Sequence, residues 1–146
     1  MPFSIRPHRR LPLAYLLGLG SLITLLLLSS GPADAEWMAV GGKVEGGMTA
    51  YADPGTIRRE GGLVKMWHLY DYKTVQAKAG ASFLSMNAQY QYDCAEERTR
   101  LLAFTWFSGN MENGNVVVNN SDEGKWEPVS PGSINEALWE VACGKK

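Results

Sequence analysis

Apolar and polar residues alternate most regularly along residues 82–94. One side of this stretch holds Leu84, Met86, Ala88, Tyr90, Tyr92 and Cys94, and the other holds Ser85, Asn87, Gln89, Gln91 and Asp93. Because successive side chains of a strand point to opposite faces of the sheet, this period of two predicts a β-strand with one buried face. The pattern places the thiol of Cys94 on the buried side.

Two further stretches, 63–72 and 99–108, carry large apolar residues on both faces, which is typical of central strands. The segments 36–44 and 49–53 predict a first hairpin, and 116–118 predicts a short last strand. These segments together indicate a mainly β domain.

Pro and Gly residues indicate where the strands end. Asp53-Pro54-Gly55 predicts a turn in which Pro54 sets φ at the second position and Gly55 takes a positive φ at the third. Gly61-Gly62 predicts another turn, and residues 73–81 predict a polar connection.

The chain ends in a helical pattern. Ser133 followed by Glu136 predicts a capping box, in which the hydroxyl accepts from the Glu136 amide and the carboxylate accepts from the Ser133 amide. The apolar stripe consists of Ile134, Ala137, Leu138, Val141 and Ala142, with Trp139 and Cys143 at its edge. The spacing predicts an amphipathic helix of about ten residues that needs a sheet beneath it.

The first 35 residues have the features of a secretory signal peptide. Arg6, Arg9 and Arg10 precede an apolar run over 11–28, and Ala33-Asp34-Ala35 forms a cleavage site. The alternative is an uncleaved anchor helix. We expect cleavage, which leaves 36–146 as one domain. No cysteine stands near the site, so the sequence predicts a periplasmic or secreted protein without a lipid anchor.

Export places Cys94 and Cys143 in an oxidising compartment, where two cysteines in a small domain predict a disulfide. The closed loop would stabilise the fold by roughly 4 kcal/mol in the chain-entropy model. The expected fold is therefore α+β, with the terminal helix tethered to the sheet.

Charge and motifs exclude several function classes. Residues 36–146 hold seven Lys and four Arg against four Asp and ten Glu, a net charge of −3, which argues against a nucleic-acid partner. The sequence has no phosphate-binding or dinucleotide-binding glycine motif and no closely spaced metal-ligand set, so we expect no cofactor and no metal.

His68 is the candidate catalytic base, because it is the one histidine left after cleavage. A nucleophile for it would be Ser82, Ser85 or Ser108, but no local motif marks any of them. We expect His68 to be a packed strand residue. The chain also holds five tryptophans, and its strands carry large residues on both faces. This is more apolar surface than one short helix can cover, so the surplus predicts a ligand or dimer interface.

The order of features resembles the bacterial surface-adhesin protein E family from Trp37 to Cys143. The matching pieces are Tyr51-x-Asp53-Pro54-Gly55-Thr56-Ile57-Arg58-Arg59, then Val64-x-x-Trp67-x-Leu69-x-Asp71-Tyr72-Lys73-x-x-Gln76, Ser85, Tyr92-Asp93-Cys94, Arg100, Ser108-Gly109-x-Met111, and Trp126-x-x-Val129-x-Pro131-Gly132-Ser133-x-x-x-Ala137-Leu138-Trp139-x-x-x-Cys143. The resemblance implies an antiparallel sheet of about six strands with a C-terminal helix held to its concave side by the disulfide. It implies structural roles for Cys94, Cys143, Asp53, Trp67 and Ser133.

For function, the resemblance implies an exported, non-enzymatic binding module. The founding adhesin binds host proteins such as laminin, vitronectin and plasminogen, and can dimerise. The leading hypothesis is that this chain binds a protein or envelope component through its sheet or a dimer surface. The alternatives are an envelope stress factor without a ligand of its own and a small periplasmic enzyme that uses His68.

Overall fold

The computed structural model describes residues 35–41 and 46–144. Nearly all of the predicted signal peptide, residues 1–35, lies outside these ranges. Within the described residues, no helix has both the length and the apolar character needed to cross a membrane.

Six antiparallel strands follow one another across the sheet in chain order. They are β1 (Met38–Val40), β2 (Met48–Glu60), β3 (Leu63–Lys78), β4 (Ala81–Asp93), β5 (Arg98–Phe107) and β6 (Val116–Asn120), and they precede β7 (Glu127–Pro128) and helix α1 (Ile134–Cys143). The two-residue β7 pairs with β5 beyond the end of β6. The predicted α+β fold is confirmed.

Strand β3 is longer than the sequence pattern predicts. The polar residues after Tyr72, expected as a connection, continue the strand to Lys78, and the chain turns at Ala79 and Gly80. Gln76, Ala77 and Lys78 pair with Phe83, Ser82 and Ala81. The prediction of a connection over 73–81 was wrong because pairing with β4 supplies hydrogen bonds that a polar, solvent-facing strand end can use.

The predicted turn at Asp53 is instead a bulge inside β2. Asp53 pairs with Trp67 and Arg58 pairs with Lys65, so four residues of β2 lie opposite one of β3. The Asp53 carboxylate accepts a hydrogen bond from the Gly55 amide at 3.1 Å, and Thr56 Oγ1 accepts one from the Trp67 amide at 3.0 Å. Gly55 does not take a positive φ. A Cβ atom at this position would lie 3.2 Å from the Asp53 carboxylate, so any larger residue would have to push that side chain back by a few tenths of an ångström.

Helix α1 begins as the sequence predicts, with one change in the cap. Ser133 Oγ accepts a hydrogen bond from the Glu136 amide at 3.1 Å. The Glu136 carboxylate accepts from the Gly132 amide at 3.4 Å, because the Ser133 amide already donates to the Ser130 carbonyl. Gly144 ends the helix in the left-handed conformation.

The core lies between α1 and one face of the sheet. Its buried members are Ala50, Ala52, Val64, Met66, Tyr92, Ile134, Leu138, Trp139 and Ala142. The small side chains of Ala50 and Ala52, both fully buried, let the helix lie close to β2. Cys94 and Cys143 form the predicted disulfide across this layer, with their Cα atoms 5.7 Å apart and 49 residues between them in sequence.

A second aromatic group extends the helix-facing side toward β5. Phe83 stacks on Trp106 with ring centroids 4.4 Å apart, and Tyr72 meets Phe83 edge-on at 5.8 Å. Phe83 and Trp106 are both buried. These rings bury one another beyond the reach of the short helix. Part of the apolar surface that the helix cannot cover is therefore buried in the core and does not form an interface.

Candidate functional site

The face of the sheet opposite α1, here called the helix-free face, is only partly open, since Leu69 and Ser85 are fully buried on it. Trp67 lies on it, because its neighbours Met66 and His68 on β3 point toward the helix side. By strand register, its principal members are Tyr51, Asp53, Lys65, Trp67, Leu69, Ser85, Asn87, Gln89, Gln91, Arg100 and Ala103.

Trp67 stands near the middle of this face. Its cross-strand neighbours are Asp53 on β2 and Gln89 on β4, and Gln89 is followed by Ala103 on β5. Trp67 and Gln89 are half-buried. Side chains become smaller along this row, from the indole of Trp67 through the amide of Gln89 to the methyl group of Ala103. An indole beside an amide offers both an apolar contact and a hydrogen-bonding group.

The polar side of β4 is more buried than its composition suggests. Ser85 is fully buried, and Gln91 and Asp93 are buried as well. The alternation predicts one buried face, and the structure covers both. Polar residues tolerate this burial because they are hydrogen-bonded.

The loop between β5 and β6 covers one end of the helix-free face. Ser85 Oγ donates to the Gly109 carbonyl at 2.6 Å and accepts from the Glu112 amide at 3.0 Å. The Glu112 carboxylate accepts from Asn87 Nδ2 at 2.6 Å and from Trp37 Nε1 at 3.3 Å. Glu112 therefore links this loop to β4 and to the residue just before β1.

Two consecutive residues of this loop, Met111 and Glu112, have φ values of 51° and 62°, in the left-handed region that non-glycine residues seldom adopt. Asp71 holds them there, since its carboxylate accepts from the Met111 amide at 2.8 Å and from Asn110 Nδ2 at 3.1 Å. The contacts from β3 and β4 offset the backbone strain and present Met111 with 38% of its surface exposed.

At the other end of the face, Trp126 lies against two arginines. The guanidinium carbons of Arg98 and Arg100 are each 4.7 Å from its ring centroid. Arg100 also pairs with Glu123 at 2.9 Å and donates to Gln91 at 2.8 Å. These cation–π contacts hold the segment before β7 on the sheet.

His68 lies on the opposite side, inside the core. It is fully buried, and burial lowers its pKa to about 3, so the ring is neutral at physiological pH. Its Nδ1 lies 3.3 Å from the Tyr92 hydroxyl, and the rings of Tyr70 and Tyr90 pack against it. Ser85, one candidate nucleophile, lies on the other face of the sheet. The structure does not bring this pair together.

The other residues singled out by the sequence lie in separate parts of the fold. Asp53, Pro54 and Gly55 form the β2 bulge, and Ser133 and Glu136 cap α1. Trp139 is buried and its Nε1 donates to the Asp93 carbonyl at 3.1 Å. The hydrogen bonds of Glu112 were not predicted from the sequence. The one signal for them was the run of polar residues on one face of β4, whose buried side chains need hydrogen-bond partners from a loop.

The chain matches a known protein family over most of its length: the model of the surface-adhesin protein E family covers residues 37–144. The structure of crystal form II of Haemophilus influenzae protein E is similar, with a TM-score of 0.53 and 11% sequence identity over 75% of this chain and 97% of that one. A selenomethionine form of the same Haemophilus protein gives a TM-score of 0.52 and 11% identity, over 74% of this chain and 94% of that one. No curated protein sequence matches significantly. At this identity the structural likeness shows the fold alone.

Proposed function

Because the chain belongs to the surface-adhesin protein E family, we propose that it is an exported, non-enzymatic module that binds a protein ligand on its helix-free face. The observation that carries this proposal is the asymmetry of the sheet. The disulfide-tethered helix covers one face, and the other presents the half-buried pair Trp67 and Gln89.

The composition of the helix-free face supports a protein ligand. The centres of protein interfaces are enriched in aromatic residues, Met and Arg, and depleted in Lys and Asp. The helix-free face offers Tyr51 and Trp67, and the adjoining loop offers Met111. The support beneath these residues is rigid, since they stand on paired strands or on a loop held by Asp71. A preorganised surface loses less entropy on binding.

A non-enzymatic role is consistent with the state of His68. The ring is buried away from solvent and its pKa is lowered to about 3, so it cannot reach a substrate from either face. We propose further that residues 1–35 are removed during export and that 36–146 form the mature domain, either periplasmic or secreted, without a membrane anchor. An envelope protein or a host protein then becomes the accessible class of ligand.

The test uses the exported protein with laminin and vitronectin as separate probes in biolayer interferometry. We expect the double variant Gln89→Arg with Met111→Lys to weaken binding at least tenfold, because both changes put bulk and charge on the helix-free face. The matched control is Glu127→Arg, which makes the same change of two charges at an exposed residue of β7 that lies on the helix side of the sheet, since its partner Thr99 pairs with the core residue Tyr92. Equal binding by the double variant and the unmodified protein would assign the ligand to another surface. Failure of the unmodified protein to bind either probe would contradict adhesion to these two host proteins.

A further inference from the structure

A cleft of about 410 Å³ separates the edge strand β1 from helix α1, on the other side of the sheet from the helix-free face. One wall is residues 38–41, and the other is formed by Ala137, Glu140 and Val141. Ala137 and Val141 are four residues apart, so they lie one above the other along the helix and make a continuous apolar wall. The volume lies within the range of ligand-binding clefts.

The strand wall has an open hydrogen-bonding edge. β1 is the first strand of the sheet, and among residues 35–41 and 46–144 its only strand partner is β2, through Met38, Ala39 and Val40. Met38 is 45% exposed. An edge strand presents a row of backbone donors and acceptors on which an extended chain can add a further strand. Here a helix stands beside that edge, so alternate side chains of the added strand would enter the cleft.

The charge of the helix wall selects the occupant. Between residues 134 and 143 the helix carries Glu136 and Glu140 and no Lys or Arg, and Glu140 lies directly on the cleft. An apolar side chain therefore fits against Ala137 and Val141, while a basic side chain two positions along the same extended segment, and so on the same face, fits Glu140. A second copy of this chain is a poorer occupant, because residues 36–146 carry a net charge of −3.

We propose that the cleft between β1 and α1 is a strand-addition site for an extended partner peptide that carries Lys or Arg two positions from an apolar residue. The peptide pairs with the outer edge of β1, its apolar side chain lies against Ala137 and Val141, and its basic side chain lies beside Glu140. This site is separate from the helix-free face and does not depend on the function proposed for it.

The experiment is an NMR titration of the isotopically labelled exported protein with acetyl-Lys-Thr-Val-Thr-Lys-amide, whose valine and lysines share one face. We expect shifts confined to residues 38–41 and 137–141. The matched peptides are acetyl-Glu-Thr-Val-Thr-Glu-amide and a version of the basic peptide with proline in place of one threonine, which cannot donate to the strand edge. Both should bind at least fivefold more weakly.

The variant Glu140→Lys should bind the basic peptide at least fivefold more weakly and bind the acidic one more tightly, whereas Glu60→Lys, an exposed change elsewhere, should alter neither. The proposal is overturned by the absence of shifts, by shifts outside the cleft, or by equal binding of the proline peptide. It is also overturned if nuclear Overhauser contacts show the cleft filled by another segment of the same chain or by a second copy.

Discussion

The indole Nε1 of Trp139 donates a hydrogen bond to the backbone carbonyl of Asp93, one residue before Cys94. Trp139 and Cys143 are one helical turn apart, so the hydrogen bond and the disulfide join the same side of α1 to the same end of β4. The Asp93 carboxylate organises that end, accepting from the amides of Ala95 and Glu96 and from Arg98. The bond from the Glu96 amide is the largest cause of the lowered pKa of Asp93.

Removal of the disulfide tests its contribution to stability. We expect the double variant Cys94→Ala with Cys143→Ala to lower the free energy of unfolding by about 3–4 kcal/mol, because a loop closed across 49 residues is released in the unfolded chain. Urea denaturation with and without reductant measures it. Reductant should destabilise the unmodified protein and leave the variant unchanged, and an equal response in both would contradict the prediction.

The hydrogen bond from Trp139 is tested by Trp139→Phe, which keeps an aromatic ring and removes the N–H. We expect a loss of about 1–2 kcal/mol in the free energy of unfolding, since the Asp93 carbonyl loses a buried donor and a smaller ring fills the site. The comparison is Trp106→Phe, whose Nε1 lies against the sulfur of Met86, a weak acceptor. A larger loss at Trp106 than at Trp139 would show that ring packing outweighs this bond.

His68 predicts an acid sensitivity of the fold. Its pKa is about 3 in the folded state, against 6.5 when exposed, so below pH 6.5 the unfolded chain binds the proton more readily. The contribution of neutral His68 to the free energy of unfolding is fully present above pH 6.5 and is lost progressively as the pH falls toward 3. Between pH 7.5 and pH 5.0 the loss is about 2 kcal/mol.

The His68→Leu variant should lose this component of the pH dependence. Asp93, whose pKa is lowered, keeps its contribution at pH 5.0 and loses it only in stronger acid, so it does not obscure the comparison. Urea denaturation at the two pH values gives both free energies. The same loss in variant and unmodified protein would assign the acid sensitivity to other groups.

The link from Glu112 to Trp37 predicts a local effect on β1. In Glu112→Ala, the carboxylate that accepts from Trp37 and Asn87 is absent, so we expect faster amide hydrogen exchange over residues 37–40. Exchange across β3 and β4 should change little, because their pairing is unaffected. Glu60→Ala serves as the control, and unchanged exchange in β1 would show that pairing with β2 alone holds the edge strand.

Much of the fold was predictable because its signals are local. The alternation over residues 82–94 predicted β4, and the spacing after Ser133 predicted α1 to within a residue. Each depends on a repeat within one element, and such repeats are set by backbone geometry. The disulfide was predictable for a different reason, since two cysteines in an oxidising compartment have one pairing available.

The site was less predictable. Asp53-Pro54-Gly55 has the composition of a turn, yet pairing with β3 on both sides of it makes it a bulge within β2. Nothing local connects Glu112 with Trp37, 75 residues away, or with Asn87, 25 residues away.

The sequence by itself determined most of the strands, the terminal helix with its N-cap serine, and the single disulfide, because each follows from nearby residues or from a forced pairing. Only the tertiary structure decided how far β2 and β3 extend, that Trp67 stands on the helix-free face beside Gln89, that His68 is buried among tyrosine rings, and that β1 and α1 line a cleft. Those relationships depend on strand register and on where the helix crosses the sheet, and both are set by contacts between residues distant in the chain.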